Sequence, residues 1–370
     1  MKSTVRIAVV GLGKMGLSHF AMVNAHPATT TIACEGSKFL ADVMSKNTTT
    51  PVFRDYEAML RDEQLDAVVI ATPSRSHASM VRAALAKDLH VFCEKPFCLD
   101  WHDSKELTRL AEEKGRVAQV GYHHRYVGAF REMKRILDAG ALGRVTHVLA
   151  EAYGPVVLRS RRGTWRSQKS EGGGCLLDYA AHPLNLLNWI FGVPAHISGS
   201  FLSPVFSDAI DDQVTATLQW TGGPTAQLSV NWSDESHRKM STKITMIGTN
   251  GRLNVDRQEC QLYLREPVAS LADYGKGWTV RYTTDLTEQP WFYLRGEEYS
   301  TQLEDFISAI LAGKDRAVEN DFASATQTDR TLAMVIENAE TGASANATHT
   351  HLTATPKKRR LFGSWLRKTA

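Results

Sequence analysis

Three short stretches of the 370-residue sequence hold residue types that suit phosphate binding and proton transfer. Gly11-Leu12-Gly13-Lys14-Met15-Gly16 is a G-x-G-x-x-G run between an apolar stretch and a helical pattern over 15–25. In that context the run is a dinucleotide fingerprint. Gly11 permits the tight turn, Gly13 lets backbone approach a diphosphate, and Gly16 lets helix and strand pack closely. Free amides at the helix start favour the anion. Glu94-Lys95-Pro96 lies just past another apolar run, at a strand's carboxyl end, where open α/β sheets bind ligands. Desolvation and nearby positive charge would lower the pKa of Lys95 enough for it to take a proton from a hydroxyl. Asp178 and His182, four apart in a helix predicted over 175–191, share one face. There a carboxylate can orient a histidine and stabilise its protonated form. The preceding Gly172-Gly173-Gly174 allows close approach to a ligand.

Reversible oxidation of an alcohol needs both kinds of group: a nicotinamide to accept hydride and protein side chains to handle the hydroxyl proton. Glu35 falls where an acidic residue commonly holds the adenine ribose hydroxyls, and its charge would repel a 2′-phosphate. Ser37 and Lys38 follow at once and suit such a phosphate. The cofactor expected is NAD or NADP, with NAD favoured.

The elements that must position these residues follow from hydrophobic patterning. Apolar runs at 6–10, 30–35, 66–72, 89–94 and 116–122 alternate with helical stretches such as 76–87 and 101–115. That alternation predicts a parallel, doubly wound Rossmann sheet covered on both faces. A helix over 128–139 follows. Strands are then predicted at 144–153, 196–202, 212–220, 225–233 and 243–256, with turn signals between several of them. They read as an α+β domain with a large, open, mostly antiparallel sheet. Helices at 297–312 and 322–340 close it. The expected division is 1–125 for nucleotide binding, 126–340 for substrate binding and oligomerisation, and a polar, then basic tail over 341–370.

Four motifs in order resemble the glucose–fructose oxidoreductase / inositol dehydrogenase / MocA (Gfo/Idh/MocA) family: Ala71-Thr72-Pro73 with His77, HVFCEKPFCLD (90–100), QVGYHHRY (119–126), and Gly172-Gly173-Gly174 with Asp178 and His182. The Ile247-Gly248-Thr249-Asn250-Gly251 turn fits as well. The resemblance spans about residues 4–340. It implies that Lys95, preceding an often cis proline, lies near both nicotinamide and substrate hydroxyl, and that Asp178 and His182 face the nicotinamide across the substrate. Lys95 and His182 then share the proton work. It also implies cofactor contacts from Thr72, Pro73, His77 and Glu94, substrate contacts from Tyr122, His123 and Arg125, and a homodimer or homotetramer formed on the second sheet's outer face. Many sugar-oxidising members have an aspartate three residues after the histidine; here it is Asn185, whose amide still suits a hydroxyl.

The activity expected is hydride transfer between nicotinamide and a carbinol or keto carbon of a sugar, nucleotide-linked sugars included. The alternatives are a non-catalytic sugar or nucleotide sensor on the same fold, and a dehydrogenase of dihydrodiols or tetrapyrroles. Lys95, Asp178 and His182 together favour the enzyme. RSRRGTWRSQK (159–169) offers Arg162 and Arg166 to an anionic part of the substrate and Trp165 for stacking, with a solvated loop the equal alternative.

A net charge of +3 gives no argument for nucleic acid. Five cysteines without metal-type pairing read as free thiols of a reducing compartment, and no metal is expected. Neither an opening signal nor a spanning apolar run is seen, so the expectation is cytoplasmic. The KKRRLFGSWLRK end (357–368) suits a membrane surface by composition, with a disordered tail the favoured reading.

Overall fold

A computed structural model describes residues 4–156, 165–313 and 316–342. The chain opens with β1 (Val5–Val10), α1 (Lys14–Ala25), β2 (Thr29–Cys34), α2 (Lys38–Asn47), β3 (Val52–Phe53) and α3 (Tyr56–Asp62). It continues through β4 (Ala67–Ile70), α4 (His77–Ala86), β5 (His90–Cys93), α5 (Trp101–Glu113) and β6 (Ala118–Val120). The six strands are parallel in the order β3-β2-β1-β4-β5-β6. Strand order reverses between β1 and β4, and the crevice at such a switch point is where open sheets take ligands. The strands read as unbroken apolar runs because helices bury both faces: Val9, Val68, Val69, Ile70, Val91 and Phe92 are 0% exposed.

After α6 (Gly128–Asp138) come β7 (Val145–Tyr153), a π-helical turn Leu176–Ala180 that runs directly into α7 (Ala181–Phe191), β8 (His196–Ser203), β9 (Gln213–Gln219) and β10 (Thr225–Asn231). The hairpin β11 (Ser241–Gly248) and β12 (Gly251–Val255) follows, then β13 (Glu259–Leu264), β14 (Gly277–Tyr282), α8 (Thr283–Leu286), α9 (Glu297–Ala312) and α10 (Phe322–Thr341). Eight strands form one sheet, β14-β13-β12-β11-β7-β10-β9-β8, antiparallel except where β10 lies parallel to β7. Alternate residues such as Val148, Ala150, Val214, Leu228 and Met246 are buried on one face, which α6 and α7 cover. Each fully buried Val, Leu or Met there contributes about 1.5–3 kcal/mol.

Strands β3, β13 and β14 were not among the expected elements. The expected single run 243–256 is two strands joined at Thr249-Asn250. Helix α9, which the division by number places in the second domain, packs on the first sheet: Tyr299, Leu303, Phe306 and Ile307 join the cluster of Val5, Ile7 and Phe92. The chain thus crosses back, and the two halves are tied together beside the site. Among the described residues no helix is long and apolar enough to cross a membrane. The tail beyond residue 342 lies outside the described residues.

Candidate active site

The glycine loop is shaped by what its missing Cβ atoms would touch. Gly11 has φ +83°, and a Cβ there would lie 2.9 Å from the Thr72 methyl. A Cβ on Gly16 would lie 1.7 Å from the Gly11 carbonyl oxygen, so helix and turn can meet only here without a side chain. A Cβ on Gly13 would meet nothing within 4 Å. That open side, beside an α1 start with no side-chain cap, is the room a diphosphate needs. Glu35 accepts from Leu12 N at 2.6 Å and Ser37 N at 2.7 Å, which fixes its carboxylate beside the loop. Ser37 and Lys38 are exposed at the start of α2. The Thr72 hydroxyl donates to Met80 Sδ at 3.4 Å, and Pro73 is exposed.

His77 sits differently from the expected cofactor contact. It is 1% exposed, with Nδ1 2.9 Å from Pro96 O and Nε2 3.0 Å from Thr72 O. It ties the loop after β4 to the loop after β5 and acts on the site by holding Pro96. Glu94 is likewise held: its Oε1 is 2.6 Å from His19 Nε2, and its carboxylate lies over Gly121.

Lys95, Asp178 and His182 border one cleft of about 1530 Å³, together with Lys14, Met15 and Glu94. The Lys95–Pro96 peptide is cis. Lys95 Nζ donates to Asp178 Oδ1 at 2.6 Å and to the Asp178 carbonyl at 2.7 Å. Arg166 Nε donates to Asp178 Oδ2 at 2.9 Å. Burial pushes the Asp178 carboxyl up, but Lys95 and Arg166 outweigh it and hold its pKa at about 2. The carboxylate therefore orients the lysine and not, as its spacing suggested, the histidine. The cause is local: Asp178 sits in the π turn, and both of its oxygens are claimed by cations. π turns recur at functional sites. The glycine triplet also accommodates close protein contacts. A Cβ on Gly174 would lie 2.4 Å from Asp211 Oδ1, and one on Gly173 2.3 Å from Arg166 O.

His182 is 2% exposed and packs 4.3 Å from the His124 ring and 4.9 Å from the His123 ring, centroid to centroid. Burial first, then the charge of Lys95, holds the His182 pKa well below 6.5; burial does the same to His123 and His124. The three are neutral imidazoles at neutral pH. His182 Nδ1 and both His124 nitrogens are buried without a partner among the described residues. Donor atoms of the three lie within 4.8 Å of one another, a transition-metal donor set by type, but the charges of Lys95 and Arg257 oppose a cation there.

Tyr122, Arg125 and Asn185 do not line the cleft. Arg125 Nε donates to Asn185 Oδ1 at 2.9 Å, and Asn185 Nδ2 to Thr328 Oγ1 at 3.0 Å, which ties the end of β6 to α7 and α10. Tyr122 is fully buried. His123 does line the cleft and stacks on Tyr299 at 4.4 Å. Arg162 and the Trp165 side chain lie outside the described residues. The sequence reading missed Tyr299, Arg257 and Arg295, which also face the cleft. No local motif marks them, because they come from a strand turn and from α9 and the turn before it.

These features define a two-domain protein with a dinucleotide-binding Rossmann fold. Residues 5–122 match the family described as "Oxidoreductase family, NAD-binding Rossmann fold", and residues 130–254 match the "GFO/IDH/MocA C-terminal domain". The chain belongs to the Gfo/Idh/MocA family. The scyllo-inositol 2-dehydrogenase (NAD(+)) of Bacillus subtilis is 26% identical over 326 residues, covering 85% of this chain and 88% of that protein. Two other curated relatives are matched over only 57% and 54% of their own length. Levoglucosan dehydrogenase in complex with NADH and levoglucosan superposes with a TM-score of 0.80 at 21% identity, covering 91% of this chain and 97% of that one. The WlbA dehydrogenase from Bordetella pertussis in complex with NADH and UDP-GlcNAcA gives 0.80 at 19% identity, covering 92% and 96%.

Proposed function

We propose that the protein is a dehydrogenase or reductase that moves a hydride between NAD and a carbinol carbon of a sugar, with Lys95 and His182 handling the hydroxyl proton. The carrying observation is the Lys95–Asp178 pair at 2.6 Å on the same cleft as the neutral His182 ring. Bound NAD supplies the hydride acceptor. Gly13 and the α1 amides suit its diphosphate, and Glu35 suits its ribose and disfavours a 2′-phosphate. Asp178 holds the Lys95 ammonium in place, where it donates to the substrate oxygen. His182, kept neutral by burial, can take up the hydroxyl proton transiently as the hydride leaves, since the charges of Lys95 and Arg257 disfavour a lasting imidazolium, and the same groups return it in the reverse direction. The sugar is the reading favoured by the scyllo-inositol and levoglucosan relatives; a nucleotide-linked sugar is favoured by the second solved complex and by Arg166 beside Asp178.

A panel of sugars, polyols and nucleotide sugars tests this by the absorbance of NADH formed or consumed. At least one member should turn over, and K95M should slow it by about 100-fold or more. NADH binding with no turnover of any member, in either direction, rejects the enzyme and favours a sensor. Trp278, Val280, Tyr282 and Tyr263 are exposed together on β13 and β14, and they fit a homo-oligomer contact. A sedimentation run showing a monomer at micromolar concentration would remove that contact.

A further inference from the structure

We propose that Arg257 and Arg295 form an oxyanion subsite on the cleft, which takes a carboxylate or phosphate carried by the substrate. The inference rests on the reading of the Lys95 and His182 cleft as a substrate site.

The two arginines come from separate elements and are held by one device. Arg257 follows β12 and pairs with Glu298 in the first turn of α9. Glu298 is 4% exposed, and its carboxylate also lies over Gly296, where a Cβ would come within 2.4 Å of Oε2. Gly296 has φ +153° and Arg295 has φ +71°. A non-glycine residue in that region is strained, and such strain persists where the surroundings impose it, often at a ligand site. The buried carboxylate thus fixes both the Arg257 guanidinium and the turn that presents Arg295.

Arg295 is exposed, and among the described residues it pairs with no carboxylate; its guanidinium carbon lies 5.5 Å from the centre of the Tyr299 ring. Tyr299 stacks on His123, and His123 packs on His182. Three ring contacts therefore join the Arg295 guanidinium to the proton-handling imidazole, and the charge of Arg257 reaches both His123 and His182. The remaining charge balance points the same way. Most carboxylates on the cleft are occupied: Glu94 by His19, Asp178 by Lys95 and Arg166, and Asp256 by the amides of Gln258 and Glu259. Planar guanidinium forks suit an oxyanion that arrives with the ligand.

Calorimetry on the full-length, NADH-loaded protein tests this with matched probes: L-tartrate against L-threitol for a carboxylate, and D-glucose 1-phosphate against D-glucose for a phosphate ester. Loading with NADH keeps the glycine loop from contributing. The anionic member of at least one pair should bind about tenfold more tightly or better, a gain of the size one charge-assisted fork supplies. The pair that shows it names the source. Arg295→Gln should bring the ratio below about threefold, and so should the double variant R257Q/E298Q, which removes both charges and leaves no buried carboxylate unpaired. Equal affinities within both pairs, absence of binding by every probe, or a preference that survives both variants would overturn the subsite. An arginine-dependent preference without turnover of any sugar would leave the subsite standing and remove the dehydrogenase. Turnover of a neutral sugar with equal probe affinities would do the reverse.

Discussion

The two walls of the cleft are made of different material. On the glycine-loop side the binding groups are backbone amides at the start of α1, and the side chains matter mainly by their absence at Gly11, Gly13 and Gly16. The other groups of the cleft, its assembled wall, are side chains from separate elements: Lys95 after β5, His123 after β6, Asp178 in the π turn, His182 in α7, Arg257 after β12 and Arg295 before α9. The first wall costs little to build, since amides at a helix start lack partners in any fold. The second gathers buried polar groups. Each unpartnered imidazole nitrogen at His124 and His182 costs about 1–3 kcal/mol, and every buried charge must find a mate. Cofactor recognition thus sits on the inexpensive, local wall, and proton chemistry on the costly, assembled one.

If that separation is real, the walls fail separately. The largest effect is expected on the assembled wall: K95M or H182Q should lower kcat by about 10²–10⁴, with NADH affinity unchanged within about twofold by fluorescence titration. Equal losses in both would show the walls to be one unit. Next, Gly16→Ala drives a Cβ into the Gly11 carbonyl. NADH affinity should fall about 100-fold, while kcat at saturating NADH changes far less; a variant that binds NADH normally would refute the account of the loop. Glu35→Ala should shift preference from NADH toward NADPH by about tenfold, read as the ratio of the two dissociation constants.

The smallest effect per group concerns stability against acid. His77, His123, His124 and His182 have folded pKa values below 6.5, so below that pH the unfolded chain binds protons that the folded chain does not. Stability should therefore fall on acidification, by at most about 1.4 kcal/mol per pH unit for each imidazole that stays neutral in the folded chain. Asp329, pushed up to about 7 by burial, opposes this: between its unfolded value near 3.9 and 7 the folded chain holds the extra proton. Buried Asp211 and Glu298, also raised, act in the same sense as Asp329, so the four imidazoles outnumber three carboxyls and stability should fall as the pH drops from 6 to 5. Denaturant midpoints across that range check it, and a flat profile would mean that the imidazoles are charged or accessible in the folded state.

The helix and strand alternation up to β6 was legible because both faces of a parallel sheet are buried, which leaves uninterrupted apolar runs. Strand β3 has only two residues, too short for any pattern. β13 and β14 do alternate, as ECQLYL and GWTVRY, and that period could have revealed them. At the site, Lys95 and His182 were legible as a pair facing one cleft, whereas the partner of Asp178 was misread. A four-residue spacing implies a shared face only along a regular α-helix, and the π turn breaks that premise. Arg125 and Asn185 looked like ligand groups by type, yet they satisfy each other.

What the sequence by itself determined is the dinucleotide loop, since glycines at fixed spacing after a strand dictate a local backbone shape and need no distant partner. It also determined which residues are able to move a proton. Only the tertiary structure decided that Lys95 is held by Asp178, that three histidines are kept neutral by burial, and that α9 returns to the first sheet carrying Tyr299 and the Arg257 partner Glu298. Those outcomes depend on desolvation and on charges brought together from remote parts of the chain, quantities that no local spacing encodes.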